Sequence, residues 1–268
     1  LTSTLNNHSK TLVDTITQGS EFLDWLKGAG RIKPFTGGLK MVEPLKYVLN
    51  SVQSFSGYDV LDAVPFDGIT AAEYTMKDVA VPITISDDEK DLNNGKEAIL
   101  SLIDTRVEIA TDSMSEGMET MLFGDGLGNA GKDMLGLQAL SEVDNGWTSY
   151  VATLGGSSTV GGITRSATNA FWQNYVSKGT YSSATGDRLI PSLQSMYYAL
   201  LRGSDQPDAI FTTKTVLAMY ETLLWAKQEW VGNDKADAKY MKLTYAGIPI
   251  RTSHACPAGY AYMLNSKY

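Results

Sequence analysis

Three short stretches hold residue types whose spacing could do chemistry. GLGNAGKD (126–133) sets Gly126, Gly128 and Gly131 at the spacing of a dinucleotide-binding loop, and Gly126, Gly131 and Lys132 at that of a phosphate loop. In both loops glycines let backbone N–H groups approach phosphate closely. TSHACPAG (252–259) places His254 two residues from Cys256, on one side of an extended chain, as a thiol nucleophile and its base would require. GGITRSATNAFWQNYV (161–176) puts two glycines and Arg165 ahead of Phe171 and Trp172, which would suit a catalytic loop, a ligand pocket or a subunit contact.

Context argues against the first two. A dinucleotide fingerprint follows a strand and opens a helix, whereas GLGNAGKD follows the longest helical pattern in the chain. A phosphate loop places Ser or Thr after its Lys to ligate magnesium; here Asp133 stands there, and its charge would repel phosphate. The glycines read better as a tight loop between domains. Cys256 reads better as a small buried hydrophobe, and neither His8 nor His254 lies at metal-ligand spacing. No GxSxG or HExxH occurs. We therefore expect no enzyme activity, no cofactor and no metal.

Composition narrows the classes further. The 268 residues carry a net charge of −8, with 43% hydrophobic and 19% charged residues, ordinary values for a folded protein. With no excess of Lys and Arg, a sequence-specific reader of DNA or RNA is a poor fit. One cysteine excludes an intrachain disulfide and suits a reducing cytoplasm. No apolar run approaches the roughly 20 residues that span a bilayer, so no membrane partner is expected. The chain begins at Leu1 rather than Met, which leads us to expect a leading segment removed or left out.

The elements that must position these stretches differ along the chain. Residues 9–27 show amphipathic spacing interrupted near Gly19. From Leu39 to Ile85, LKMVEPLKYVLN and ITAAEYTMKDVAVPITI read as strands, and the turn-rich segment between them holds Gly57, Pro65 and Gly68. This predicts a long two-stranded arm with little core of its own, marginal in water unless something packs on it. From Asn93 or Asn94 to about Phe123, apolar residues recur at Ile99, Ile103, Val107, Ala110, Met114, Met118 and Met121, one stripe on a helix of about 30 residues and roughly 45 Å. DDEKDLNN ahead of it supplies N-terminal carboxylates. Further on, helices are expected over 190–204 and 214–230, strands at DAIFTT, IPIRTS and YAYMLN, and an exposed polar segment at NDKADAKYMKL.

That succession resembles the major capsid proteins of tailed bacteriophages, the Hong Kong 97-type fold. The resemblance rests on the helix and arm, the hairpin, the long spine helix, GLQAL after a Gly-rich break, GGITRS…FW, PDAIFTT and GIPIRTSHACPAGYAYMLN. It implies an α+β chain with an N-terminal arm (1–38), an extended β-hairpin loop (39–77), a peripheral domain with the spine helix (78–130) and an axial α/β domain (131–268). The chain departs from the pattern at LNSKY, before the last peripheral strands that usually follow.

The resemblance implies a structural subunit that self-assembles into pentamers and hexamers of an icosahedral head around double-stranded DNA. It would be a virion protein assembled in the host cytoplasm, with scaffold, portal and decoration proteins as further partners. The acidic charge suits a wall that does not grip DNA tightly. Tyr47, Phe55, Tyr58 and Phe66 on the arm and Arg165 are the expected intersubunit contacts; for Phe171 and Trp172 a plain core role weighs more. An encapsulin-type cargo compartment is the alternative within the fold. A nucleotide-binding enzyme using Gly126–Lys132 is the alternative from another class.

Overall fold

The computed structural model describes residues 21–32, 34, 37–60, 67–92, 96–141, 149–179, 188–225 and 243–267. Phe66, His8, Trp230 and residues 233–242 of the polar segment lie outside them, as does the expected helix before Gly19.

An acidic first turn opens helix α1 (Glu21–Gly28), which buries Phe22 and Leu23 on one face. The arm follows as β1 (Lys40–Lys46) and β2 (Ile69–Thr75), paired antiparallel in a register from Lys40↔Thr75 to Lys46↔Ile69. The expected second strand is cut short at Thr75, and residues 76–86 pair with nothing regular. Pro82 has no N–H to give a ladder, and β1 offers no residue beyond Lys40. The acidic run expected to cap the spine instead forms its own short helix, α2 (Asp87–Leu92).

The spine is α3 (Lys96–Phe123), 28 residues long, about 42 Å at 1.5 Å per residue. Its apolar stripe is covered unevenly. Ile103 is exposed, Val107, Ala110, Met114, Met118 and Met121 are half-buried, and Phe123 is buried. The opposite side carries Asp104, Glu108, Asp112 and Glu116, all exposed and four residues apart. Helix α4 (Leu137–Leu140) follows the Gly-rich break, as GLQAL suggests.

The remainder is mixed α/β. Two small ribbons come first: β3 (Thr153–Gly155) with β6 (Asn174–Val176), and β4 (Thr159–Val160) with β5 (Ile163–Thr164). Then come α5 (Leu189–Leu200), β7 (Ala209–Thr212), α6 (Lys214–Trp225), β8 (Thr244–Tyr245), β9 (Ile248–Thr252) and β10 (Ala261–Leu264). Helix α5 stops four residues before the expected end, and Gly203 at φ 62° turns the chain back. Four strands form one sheet in the order β10–β7–β9–β8, with β7 parallel to β9 and the other pairs antiparallel. Strand β7 is buried along its whole length, as an apolar run flanked on both edges should be.

The core gathers around β7. Phe22, Phe123, Leu137, Ala209, Phe211, Cys256 and Tyr262 form one cluster. Phe22 meets Phe211 edge-on at 5.1 Å and Phe123 at 5.3 Å. Such pairs add about 0.5–1.5 kcal/mol each beyond the area they bury. The cluster takes side chains from both sides of the expected boundaries at 38 and 130, so α1 and the end of the spine share one core with the sheet around β7.

Candidate functional site

Contacts with the rest of the chain divide the arm into a tip and a base, although most of β1 and β2 is itself exposed. At the tip, Leu49, Val52, Phe55, Tyr58 and Val60 are exposed, Phe55 by 65%. The chain reverses there at Ser56–Asp59: Asp59 N donates to Ser56 O at 3.2 Å, Ser56 N donates to Asp59 Oδ2 at 3.0 Å, and Gly57 takes φ 54°. Apolar side chains held out in water with no core beneath them suit a surface that another molecule covers. Phe55 and Tyr58 both lie on this exposed tip.

The base is engaged with its own chain. Tyr47 is half-buried; its ring stacks on Phe171 at 4.9 Å and its hydroxyl donates to Asp67 O at 2.8 Å. Ala72 is completely buried. Beside it Glu73 N donates to Gly161 O at 2.9 Å. Lys40 Nζ bonds Glu73 Oε2 at 2.7 Å across the ribbon, and Lys77 Nζ donates to Gly131 O at 2.5 Å. The expectation of an arm with little core of its own thus holds for the tip and is corrected for the base.

Opposite the base lies the stretch GGITRSATNAFWQNYV. Gly161 and Gly162, at φ 59° and 78°, make the two-residue turn of the β4–β5 hairpin, a conformation that side chains other than Gly disfavour at both positions. Trp172 Nε1 donates to Val160 O at 2.9 Å and fixes that turn from behind. Phe171 is 40% exposed and meets Tyr47, so the plain core role expected for it is corrected. Arg165 requires a correction too. It is only 5% exposed, its Nε donates to Trp172 O at 3.2 Å and its Nη2 to Leu140 O. Its guanidinium is thus held by carbonyls of its own chain. Burial pushes the nearby Tyr74 phenol above its ordinary value, against a lowering pull from Arg165.

The stretches that raised chemistry look different in three dimensions. Asn129 and Ala130 adopt left-handed backbone at φ 55° and 58°. The Asp133 carboxylate folds over Gly128, covering the backbone that a phosphate would have to approach. Cys256 is buried, its Sγ 3.8 Å from Pro257 O and 3.7 Å from Tyr260 O, and burial pushes its thiol up to about 12. His254 is exposed and faces Glu116 Oε1 on the spine at 3.9 Å. Bends at 254–256 replace the expected extended chain, leaving His254 exposed and Cys256 buried. Next to them Ser253 Oγ donates to Glu119 Oε1 at 2.5 Å, tying the spine to the loop after β9. No cue in the sequence pointed to that junction. Among the described residues, no helix is long and apolar enough to cross a membrane, and no three His, Cys, Asp or Glu gather as metal ligands.

No family model and no curated protein matches the sequence. Among solved structures, the chain is similar to the Cyanophage A-1(L) capsid asymmetric unit, with a TM-score of 0.55 and 19% identity. That likeness covers 85% of this chain and 66% of the cyanophage chain, so this chain spans just under two thirds of its neighbour's length. The chain thus has a phage capsid-like fold.

Proposed function

We propose that this chain is a major capsid protein, a structural subunit that assembles into pentamers and hexamers of an icosahedral head enclosing double-stranded DNA. The carrying observation is the likeness to a phage capsid fold, joined to an arm whose tip exposes Leu49, Val52, Phe55 and Tyr58. A monomer gains nothing from holding those side chains in water. A shell gains from them, because each tip buried on a neighbour adds a contact that repeats over every copy. Phe55 and Tyr58 are the intersubunit residues; Tyr47 sets the base from which they project. The net charge of −8 keeps the wall from binding packaged DNA tightly.

Negative-stain imaging of the purified protein at micromolar concentration tests this reading. Closed particles or capsomer rings are expected. A sedimentation profile with only a 29.1 kDa species, under assembly conditions and with any scaffold supplied, would count decisively against it. Particles that enclose protein and no nuclease-protected DNA would favour a cargo compartment instead.

A further inference from the structure

We infer that the β4–β5 turn is a socket that aims the arm, and that Arg165 joins this socket to the end of the spine, so one network sets the arm's direction and the spine–axial junction together. The inference concerns the single subunit, and only its consequence for particle shape rests on the capsid reading above.

The socket has three walls. Gly161 O receives Glu73 N, which fixes the height of β2 on the turn. A Cβ at Gly161 would come within 2.9 Å of Ala72 Cβ and 3.2 Å of the Tyr74 ring, so the turn and β2 approach as closely as backbone without a side chain allows. Phe171 stacks on Tyr47 at the far end of β1, at an interplanar angle of 29°. Contacts at Ala72, Glu73 and Tyr47 are spread over both strands, and a ribbon held at both strands cannot swing about one point.

From the socket the network runs inward. Val160 O accepts from Trp172 Nε1, and Trp172 O accepts from Arg165 Nε. Arg165 Nη2 reaches Leu140 O at the end of α4. Gly136, at the start of α4, lies among the last carbonyls of α3. Each link is a hydrogen bond or a packed contact, the kind of contiguous path along which a displacement at one end is felt at the other. The arm's direction is therefore a property of the folded subunit before it meets a neighbour.

The test measures that direction without requiring a shell. Spin labels at Ser56→Cys on the tip and Gln194→Cys on α5, both exposed positions, report the tip-to-axial distance in a Cys256→Ala background. The doubly labelled subunit is diluted into an excess of unlabelled protein. One narrow distance is expected for the wild-type socket. Phe171→Ala and Gly161→Ala should each lose it, giving a broad spread, while far-ultraviolet circular dichroism shows the subunit still folded. Should Gly161→Ala fail to fold, Phe171→Ala and Tyr47→Ala carry the test from the two sides of the stack. A broad distance in the wild type, or a narrow one that survives in the folded variants, overturns the inference. Failure to form particles would speak against the capsid reading alone, since the distance is read within one subunit.

Discussion

The Tyr47 ring lies on that of Phe171, with centroids 4.9 Å apart and planes 29° apart. These residues are 124 positions apart in the chain. One belongs to the arm and the other to the segment that carries the Gly161–Gly162 turn, so the pair ties the root of an exposed ribbon to a folded body. It also shows where the arm stops being a surface feature and becomes part of the subunit.

Trimming the arm on either side of that root should give opposite results. Deleting residues 49–60 removes the exposed tip and leaves Tyr47, Ala72 and Glu73 in place. The subunit should keep its circular dichroism spectrum and melt near the wild-type temperature, yet form no stable particles. Deleting Val48 to Ala72 also removes the buried Ala72 and should destabilise the monomer by about 1–3 kcal/mol, the usual range for a lost core contact. Equal melting temperatures for the two deletions would contradict the division into tip and base.

How much of this was legible beforehand depended on whether a feature was local. The spine's stripe from Val107 to Met121 follows from periodicity, because it reflects neighbours three or four residues away, and β7 follows from a short apolar run. The hairpin followed from turn residues between β-rich runs. Arg165 was misjudged because its partners, the carbonyls of Leu140 and Trp172, are backbone atoms that carry no residue-type signal. Phe171 was misjudged because Tyr47 is distant in sequence. The Glu119–Ser253 junction escaped for the same reason, since a lone Glu on a helix and a lone Ser in a loop announce nothing.

The Gly126–Asp133 loop should prove indifferent to nucleotide. Lys132 is exposed, while Asp133 covers Gly128 and Lys77 occupies Gly131 O. Lys132→Ala should leave particle yield unchanged, and titration calorimetry with ATP and magnesium should give no binding heat for either protein. Magnesium-dependent binding in the wild type that disappears in the variant would restore the enzyme alternative.

Gly136→Ala should be costly although its φ of −98° is ordinary. The added Cβ would fall within 2.6 Å of both Gly124 O and Leu122 O and closer still to Met121 O. Those are carbonyls at the end of the spine, fixed backbone that cannot rotate aside. Overpacking of this kind costs about 1–3 kcal/mol. The denaturation midpoint should fall by a corresponding amount. An unchanged midpoint would mean that the α3–α4 junction is looser than its contacts imply.

The buried pair of Cys256 and Tyr262 should make the fold labile to alkali. Burial pushes the Cys256 thiol up to about 12 from an ordinary value of 9.0 and raises the Tyr262 phenol as well. Both groups are neutral when protonated. Below pH 9 folded and unfolded chains hold these protons alike, and stability is unaffected. Above it the unfolded chain releases them first, so the folded state loses about 1.4 kcal/mol per pH unit for each group whose proton it alone retains. Melting temperature should therefore be flat from pH 7 to about 9 and fall steadily beyond. Among the described residues Tyr262 Oη is buried without a hydrogen-bond partner. Tyr262→Phe should consequently be neutral or stabilising at pH 7, since it removes an unsatisfied polar group at little change in shape. It should also make the alkaline slope shallower, and Cys256→Ala should do so independently, after allowance for a small cavity. Thermal melts of the three proteins across this pH range decide the matter. A Tyr262→Phe variant that melts far lower at pH 7 would show that the hydroxyl has a partner after all.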